Sequence, residues 1–125
     1  MPKLVLVVDD NASIRQSLYQ LFASQADFDV CGEAENGAEA IEKARELHPD
    51  VIVMDLSMPV MNGIDATRAL KKLMPSVPVI VFSEYSDALS EDAAHSAGVS
   101  ALVSKGKNVS ALLGEVRRLC GLIAA

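Results

Sequence analysis

One stretch near the middle of the chain, Val51 to Pro59, most constrains how the protein can fold. It opens with Val-Ile-Val-Met, and such an apolar, mostly β-branched run is typical of a strand that is buried on both faces of a sheet. Because the inside of such a strand has no place for an unpaired carboxylate, Asp55 is predicted to lie where the strand ends. The proline disfavours helical backbone at the residue before it, and Asn62-Gly63 supplies turn residues ahead of a helix. In open α/β sheets chemistry gathers at the carboxyl ends of the strands, so Asp55 is a candidate reactive group.

Strand-like and helix-like patterns alternate along the whole chain. The predicted strands are Lys3–Val8, Phe28–Ala34, the strand before Asp55, Val79–Phe82 and Val99–Val103, and the predicted helices are Asn11–Gln25, Ala38–His48, Gly63–Met74, Ser86–Ala97 and Asn108–Ile123. In the third helix, Leu70 and Leu73 are predicted to face inward. This alternation predicts a parallel sheet with helices on both faces. Right-handed crossovers favour the strand order 2-1-3-4-5, a doubly wound, flavodoxin-like α/β fold made of one domain over residues 1–125.

The charge, the apolar segments and the cysteines of the chain limit which binding partners and which compartment are expected. A net charge of −6 and a pI near 4.8 argue against direct binding of nucleic acid or of an anionic membrane, and they suit a cation or a basic partner. No apolar segment approaches the roughly 20 residues that span a bilayer. Cys31 and Cys120 lie far apart and at no metal-ligand spacing, which indicates reduced thiols. We therefore expect a cytoplasmic protein.

Charged and polar residues that could carry chemistry stand at the ends of the first, third, fourth and fifth predicted strands. Asp9 and Asp10 follow the first strand, Asp55 the third, Ser83 ends the fourth and Lys105 follows the fifth. The first and third strands are neighbours in the predicted sheet, so three carboxylates converge and raise each other's pKa unless a cation neutralises them. A hard divalent cation with oxygen ligands, usually Mg²⁺, does so. Lys105 and Ser83 approach from the other side, and the pocket suits a small trianionic group attached to one carboxylate.

These residues, with Met58-Pro59 and Asn62-Gly63, resemble the receiver domain of bacterial two-component response regulators, and the resemblance covers essentially the whole chain. It implies that Asp55 accepts a phosphoryl group from a phosphohistidine of a sensor histidine kinase or phosphotransfer protein. It also implies that Ser83 is the switch hydroxyl and that Lys105 pairs with the phosphoryl group or, before phosphorylation, with Asp55.

The same resemblance implies a Mg²⁺ site. Asp10 and Asp55 would bind the ion directly, Asp9 largely through water, and Ser57 through its backbone carbonyl. The domain would then be a signalling switch and not a turnover enzyme. A receiver homodimer and a DNA-binding output domain beyond the chain are further partners that the resemblance allows, whereas this domain itself would bind neither DNA nor a membrane.

Three positions depart from the usual receiver pattern. Leu102 stands where an aromatic switch residue is common, Gly106 where proline follows the lysine, and Glu84 where a small residue leaves the pocket open. A cis bond between Lys105 and Gly106 would lack the relief that proline provides and would cost about 3 kcal/mol. These departures bear on the output mechanism and the rate of phosphorylation.

Three other functions compete with this reading of the sequence. A flavodoxin-like mononucleotide binder needs a Ser/Thr/Gly phosphate loop after the first strand, where Asp9-Asp10 would repel a phosphate. A phosphatase with an aspartyl nucleophile commonly carries a second acid two residues later, where this chain has Ser57. The third is a degenerate receiver, which binds partners without phosphorylation, and Leu102 and Glu84 keep that alternative open.

Overall fold

The computed structural model describes residues 2–84, 88–105 and 109–122, and within them five strands alternate with five helices. The strands are β1 Lys3–Val8, β2 Phe28–Ala34, β3 Val51–Met54, β4 Val79–Ser83 and β5 Ala101–Ser104. The helices are α1 Ala12–Ala23, α2 Gly37–Leu47, α3 Gly63–Leu73, α4 Ala88–Ala97 and α5 Val109–Leu119. The predicted alternation is confirmed.

All five strands are parallel and follow the order β2-β1-β3-β4-β5, so the predicted doubly wound fold is confirmed. Alternating residues of the sheet face two apolar layers. One layer joins the sheet to α1 and α5 through Leu18, Phe22, Leu112 and Val116. The other joins it to α2 and α3, mainly through alanines, and α4 packs on the same side through Ala94. The central strands are therefore covered on both faces, as the run before Asp55 predicts.

Asparagine side chains begin the first three helices. Asn11 accepts hydrogen bonds from two backbone N–H groups of α1, Asn36 from Glu39 of α2, and Asn62 from Asp65 of α3. Each cap satisfies N–H groups that a helix leaves without a partner in its first turn. The caps follow β1, β2 and the loop after β3, so the chain turns sharply from each strand end into the next helix.

Two predicted details are wrong. Leu73 is 45% exposed, whereas Leu70 is buried as predicted, and Thr67 is also buried, with its hydroxyl donating to the Gly63 carbonyl at 2.6 Å. The stripe predicted from apolar residues alone could not identify a threonine that satisfies its hydroxyl within the helix. In addition, β5 begins at Ala101, because Val99 is buried in the turn before it and donates to Ala94.

The predicted ends of α4 at Ser86 and of α5 at Asn108 and Ile123 lie outside the described residues. No helix in the described part of the chain is long and apolar enough to cross a membrane.

Candidate functional site

The backbone ladder continues past the ends of the strands and fixes the residues that follow them. Asp9 N–H donates to Ala34 O at 3.1 Å, Asp55 N–H to Val8 O at 3.0 Å, and Lys105 N–H to Ser83 O at 2.8 Å. Each of these three residues is therefore held one step beyond its strand by a neighbouring strand. Their side chains meet at the carboxyl edge of the sheet.

An open cleft of about 200 Å³ lies at this edge. Its lining includes every residue that the sequence placed in the site: Asp9, Asp10, Asp55, Ser57, Ser83 and Lys105, together with Asn11, Ile14 and Glu84. Asp9, Asp10 and Asp55 each offer a carboxylate oxygen, and the three oxygens lie within 4.8 Å of one another. The expected convergence of three carboxylates is present in the structure.

Asp9 is only 2% exposed, and each of its polar atoms has a partner. Its N–H bonds to Ala34, its Oδ1 accepts from Asn11 N–H at 2.9 Å, and its Oδ2 accepts from Lys105 Nζ at 2.8 Å. Its carbonyl oxygen accepts from Arg15 Nη1 at 2.7 Å. Both carboxylate oxygens of Asp9 therefore already accept a hydrogen bond.

Lys105 lies nearer to Asp9 than to Asp55. Its Nζ is 2.8 Å from Asp9 Oδ2 and 3.6 Å from Asp55 Oδ1, whereas the resemblance implied Asp55 as its partner in the unphosphorylated state. Burial by itself would lower the pKa of Lys105, but the carboxylates of Asp9 and Asp55 outweigh it and raise that pKa. Lys105 therefore remains a cation at neutral pH and partly neutralises the acidic cluster.

Asp55 is 8% exposed. Burial raises the pKa of its carboxyl, and so does the charge of Asp9, while Lys105 and the Leu56 N–H, which donates to Oδ1 at 2.9 Å, act in the opposite direction. The net pKa is higher than that of an ordinary aspartate. The ionised form is therefore held at a cost in free energy, and an added cation would reduce that cost.

The loop between β3 and α3 closes over Asp55 by close backbone packing. Gly63 N–H donates to Leu56 O at 2.8 Å, and a Cβ on Gly63 would lie 2.2 Å from the Asp55 carbonyl oxygen. On the outer side, Gly37 N–H donates to Met61 O at 3.0 Å. Between these anchors Val60 has a φ of 68°, with Met61 N–H donating to Pro59 O at 2.7 Å, which is a tight and strained γ-turn.

The remaining predicted positions lie at the base of the cleft, at its edge or in the apolar layer beside it. Ser83 is buried at the base of the cleft, and Ser57 and Glu84 are exposed at its edge. Leu102 is partly buried against a small apolar cluster of Leu56, Val81, Ala94 and Val99. Gly106, and with it the geometry of the Lys105–Gly106 bond, lies outside the described residues.

One residue at this edge was missed from the sequence. Arg15 of α1 has a side chain that is 14% exposed, and it contacts the Asp9 carbonyl on one side and Glu33 on the other. The sequence did contain a signal for this contact. Arg15 is a cation near the positive end of the α1 dipole, where a positive charge is disfavoured unless another group holds it.

The donor set fits Mg²⁺, which prefers carboxylate, carbonyl and water oxygens. Oxygens on opposite sides of the ion lie about 4.2 Å apart, since each is about 2.1 Å from it. A spread of up to 4.8 Å therefore suits an ion that two carboxylates bind directly and a third holds through water. The resemblance assigns Asp10 and Asp55 as the residues that would bind such an ion directly, and Asp9 as the one that would bind it through water.

Residues 5–117 match the family described as the response regulator receiver domain. The chain belongs to this family. Among its relatives, the receiver is 37% identical over 118 residues to the response regulator protein VraR of Staphylococcus saprophyticus, covering 94% of this chain and 56% of VraR. It is 48% identical over 83 residues to the chemotaxis protein CheY of Thermotoga maritima, covering 66% of this chain and 68% of CheY.

A solved structure shares the receiver fold. The response regulator domain of Thermotoga maritima CheB superposes with a TM-score of 0.89 at 35% identity, covering 99% of this chain and all of that one. The receiver spans little more than half the length of VraR. What VraR does as a whole protein therefore does not follow for this receiver.

Proposed function

We propose that this receiver is a phosphorylation-dependent signalling switch in which Asp55 accepts a phosphoryl group from a phosphohistidine. The observation that supports it best is the cleft itself, where Asp55 lies beside two further carboxylates, a lysine and a buried serine hydroxyl. The donor is the phosphohistidine of a sensor histidine kinase or of a phosphotransfer protein. The acidic overall charge suits a donor surface with basic residues.

The Asp55 carboxylate is oriented for attack on phosphorus. Oδ1 accepts from the Leu56 N–H and faces Lys105, which leaves Oδ2 as the attacking atom among the contacts that the described residues make. As the Oδ2–P bond forms, the bond from phosphorus to the histidine nitrogen breaks and its electron pair returns to the imidazole. Lys105 Nζ, 3.6 Å from Oδ1, is near enough to turn towards the new phosphoryl oxygens, and the Ser83 hydroxyl donates to one of them.

Asp10, Asp55 and the Ser57 carbonyl would hold Mg²⁺ directly, with Asp9 behind a water molecule. When bound, the ion supplies positive charge that offsets the negative charge of the transferred group and of the cluster. The residues of the chain have three other roles in the transfer. They position the nucleophile, exclude bulk water from its buried side and pair with the product.

The output surface in this proposal comprises α4, β5 and α5. An open cleft of about 370 Å³ lies between Glu91 of α4 and Glu115 of α5, with Leu102 of β5 in its lining. Leu56 connects it to the site, because its N–H bonds to Asp55 and its side chain shares an apolar cluster with Leu102 and Ala94. The readout is a receiver homodimer or a DNA-binding output domain outside these residues.

The alternative of a receiver that works without phosphorylation is not favoured, because every group that phosphoryl transfer needs lies in one cleft. Within this proposal the domain is a switch and not a turnover enzyme, and it acts in the cytoplasm.

Intact-mass spectrometry after incubation with acetyl phosphate and Mg²⁺ tests the proposed acceptor. We expect a gain of one phosphoryl group on the wild type and none on Asp55→Asn, with Asp65→Asn as a matched control that labels normally. Undiminished labelling of Asp55→Asn would show that another residue is the acceptor.

Hydrogen exchange with and without beryllofluoride tests the output surface. We expect altered protection in α4, β5 and α5, and light scattering on the same samples distinguishes a homodimer from a monomer. Changes confined to α2, Gly37–Leu47, would show that the assignment is wrong.

A further inference from the structure

Arg15 holds the backbone of the metal-binding turn in place. Its Nη1 donates to the carbonyl oxygen of Asp9 at 2.7 Å, so it acts on the main chain between Asp9 and Asp10. Its Nε donates to Glu33 Oε1 at 3.3 Å, and its Nη2 lies 3.8 Å from Glu35 Oε1. Arg15 thus ties the end of β1 to the end of β2 from a position on α1.

The solvent exposure of the partners determines how strongly each contact of Arg15 contributes. The Arg15 side chain is 14% exposed, whereas Glu33 is 44% and Glu35 66% exposed. Exposed ion pairs contribute little, so the two glutamates mainly orient the guanidinium. The contact with the Asp9 carbonyl is shorter and part-buried, and a hydrogen bond from a charged donor in such a place is worth more than a neutral one.

We infer that Arg15 is a positioning residue for cation binding at the Asp9–Asp10 turn. Among the described residues its polar contacts are with the Asp9 carbonyl, Glu33 and Glu35, and not with the carboxylates of the cluster. It fixes the carbonyl of Asp9, and with it the direction in which the next residue, Asp10, presents its carboxylate. Asp10 is exposed, so the backbone, and not packing, must set that direction. This inference rests on the proposed function, because it assumes that the turn binds Mg²⁺.

Position and charge predict opposite results when Arg15 is replaced. Arg15→Gln removes a positive charge near the acidic cluster, so charge alone would tighten Mg²⁺ binding. Loss of the Asp9 contact would instead weaken it. Groups that orient metal ligands typically contribute about 10- to 100-fold to affinity. Since Arg15 acts through a carbonyl one step from the ligand, we expect the Mg²⁺ dissociation constant of Arg15→Gln to rise roughly three- to tenfold.

Isothermal titration of the metal-free chain with Mg²⁺ measures this constant, and a thermal melt without metal measures stability. Arg117→Gln is the matched control: Arg117 Nε bonds to Asp27 Oδ2 at 2.9 Å and the guanidinium lies over Phe28, distant from the cleft. We expect it to lose stability while its Mg²⁺ constant stays within twofold of the wild type. In acetyl phosphate labelling, Arg15→Gln should need more Mg²⁺ but approach the wild-type rate at saturation.

The double variant Arg15→Gln/Glu33→Gln restores the local charge sum. We expect its Mg²⁺ affinity to remain weak. Wild-type or tighter affinity in the single variant, or recovery in the double variant, would overturn the inference. If the glutamine variants do not fold, Arg15→Lys tests the same point and should bind at least twofold more weakly. A wild type that neither binds Mg²⁺ nor accepts phosphate would overturn the proposed function itself, whereas normal wild-type behaviour with unaffected Arg15 variants overturns only this inference.

Discussion

At the scale of single residues, the central feature is a buried aspartate that its surroundings hold in an unfavourable state. Asp55 is almost fully buried, lies beside Asp9 and Asp10, and has as its nearest cation a lysine that is closer to Asp9. The resulting rise in its pKa means that, compared with an ordinary aspartate, the folded chain shifts the balance from the ionised carboxyl towards the protonated one. Reactivity and a local cost in stability therefore have the same origin.

Asp55→Asn should stabilise the metal-free fold at neutral pH. The amide keeps a group that can accept from Leu56 N–H and removes the repelled charge, so we expect a gain of about 1 kcal/mol and a melting temperature higher by roughly 3–5 °C. Because the folded pKa of Asp55 is raised, the advantage is complete above that pKa and disappears as the pH falls towards the unfolded value, about 3.9. Thermal melts from pH 3 to pH 8 without metal would check this, and an advantage that grows on acidification would contradict it.

Glu84 should slow phosphorylation by small anionic donors. It is exposed at the rim of the cleft and makes no ion pair with any other described residue, so its carboxylate repels an incoming anion. The repulsion at such a rim is about 1 kcal/mol or less, so replacement should speed labelling roughly two- to fivefold. Salt should weaken the effect, because exposed charges are screened over about a Debye length.

Acetyl phosphate labelling of Glu84→Ala and Glu84→Gln at low and high salt measures the effect. If Gln resembles the wild type while Ala is fast, bulk and not charge is responsible. Unchanged rates in both variants would mean that Glu84 has no part in the reaction.

The sequence predicted which residues meet but not how they pair. Asp9, Asp10, Asp55, Ser83 and Lys105 follow strand ends, and the order of parallel strands brings such ends together whatever the side-chain details. The preference of Lys105 for Asp9 is the difference between an N···O distance of 2.8 Å and one of 3.6 Å, and no spacing along the chain encodes so small a difference. Arg15 was missed because its acceptor is a backbone carbonyl and not a recognisable side chain, although its position near the start of a helix was a signal.

At the scale of elements, the loop between β3 and α3 determines whether Asp55 is in position. Asn62 caps α3, and Gly63 brings the start of that helix directly against the Asp55 backbone. The predicted turn at Asn62-Gly63 is confirmed, but the reason for the glycine is close approach to a carbonyl oxygen. Leu73 shows a limit of predicting burial from helical spacing. The spacing assumes that every turn of the helix packs against the sheet, whereas Leu73 lies at the end of α3 and is exposed.

Gly63→Ala should damage both the fold and the site. Its Cβ would lie 2.2 Å from the Asp55 carbonyl oxygen and 3.0 Å from Leu56 Cα, both backbone atoms that a rotamer change cannot move. We expect a loss of about 2–4 kcal/mol in the free energy of unfolding. Gly114→Ala is the control, since nothing lies within 4 Å of a Cβ there and alanine should stabilise α5 by about 0.5–1 kcal/mol.

Urea unfolding of both variants measures these changes, with acetyl phosphate labelling as the second readout. A Gly63→Ala variant as stable and as reactive as the wild type would show that the loop adjusts freely.

At the scale of the whole molecule, the two ends of the sheet differ in the contacts they make. The carboxyl end holds the acidic cleft, and the amino end is tied to α5 by Arg117, which contacts Asp27 at 2.9 Å and Gln25 at 2.7 Å. The central strand β3 is fully apolar and buried, and the neighbouring β1 and β4 are buried over most or all of their length. Substitutions at the amino end should therefore alter stability with little effect on the chemistry of the cleft.

Mg²⁺ should stabilise the unphosphorylated fold as a whole. An ion that binds only the folded chain adds RT ln(1 + [L]/Kd), or about 1–2 kcal/mol at ten to thirty times Kd. Asp10→Ala should lose most of this gain, whereas Asp92→Ala on α4 should retain it, because only Asp10 belongs to the cluster. Melts in Mg²⁺ and in EDTA provide the comparison, and an unchanged melting temperature of the wild type at saturating Mg²⁺ would contradict the prediction.

The ion pair of Lys105 with Asp9 also determines how the cleft responds to its ionic surroundings. Since an ammonium already neutralises one carboxylate, an arriving divalent ion meets fewer uncompensated negative charges than a bare triad would offer. Added salt then screens a smaller attraction, and the occupancy of the cleft should vary only gently with ionic strength. In a receiver built in this way, Lys105 acts as an internal counterion, and cation occupancy of the cleft should change little when the cellular salt concentration changes.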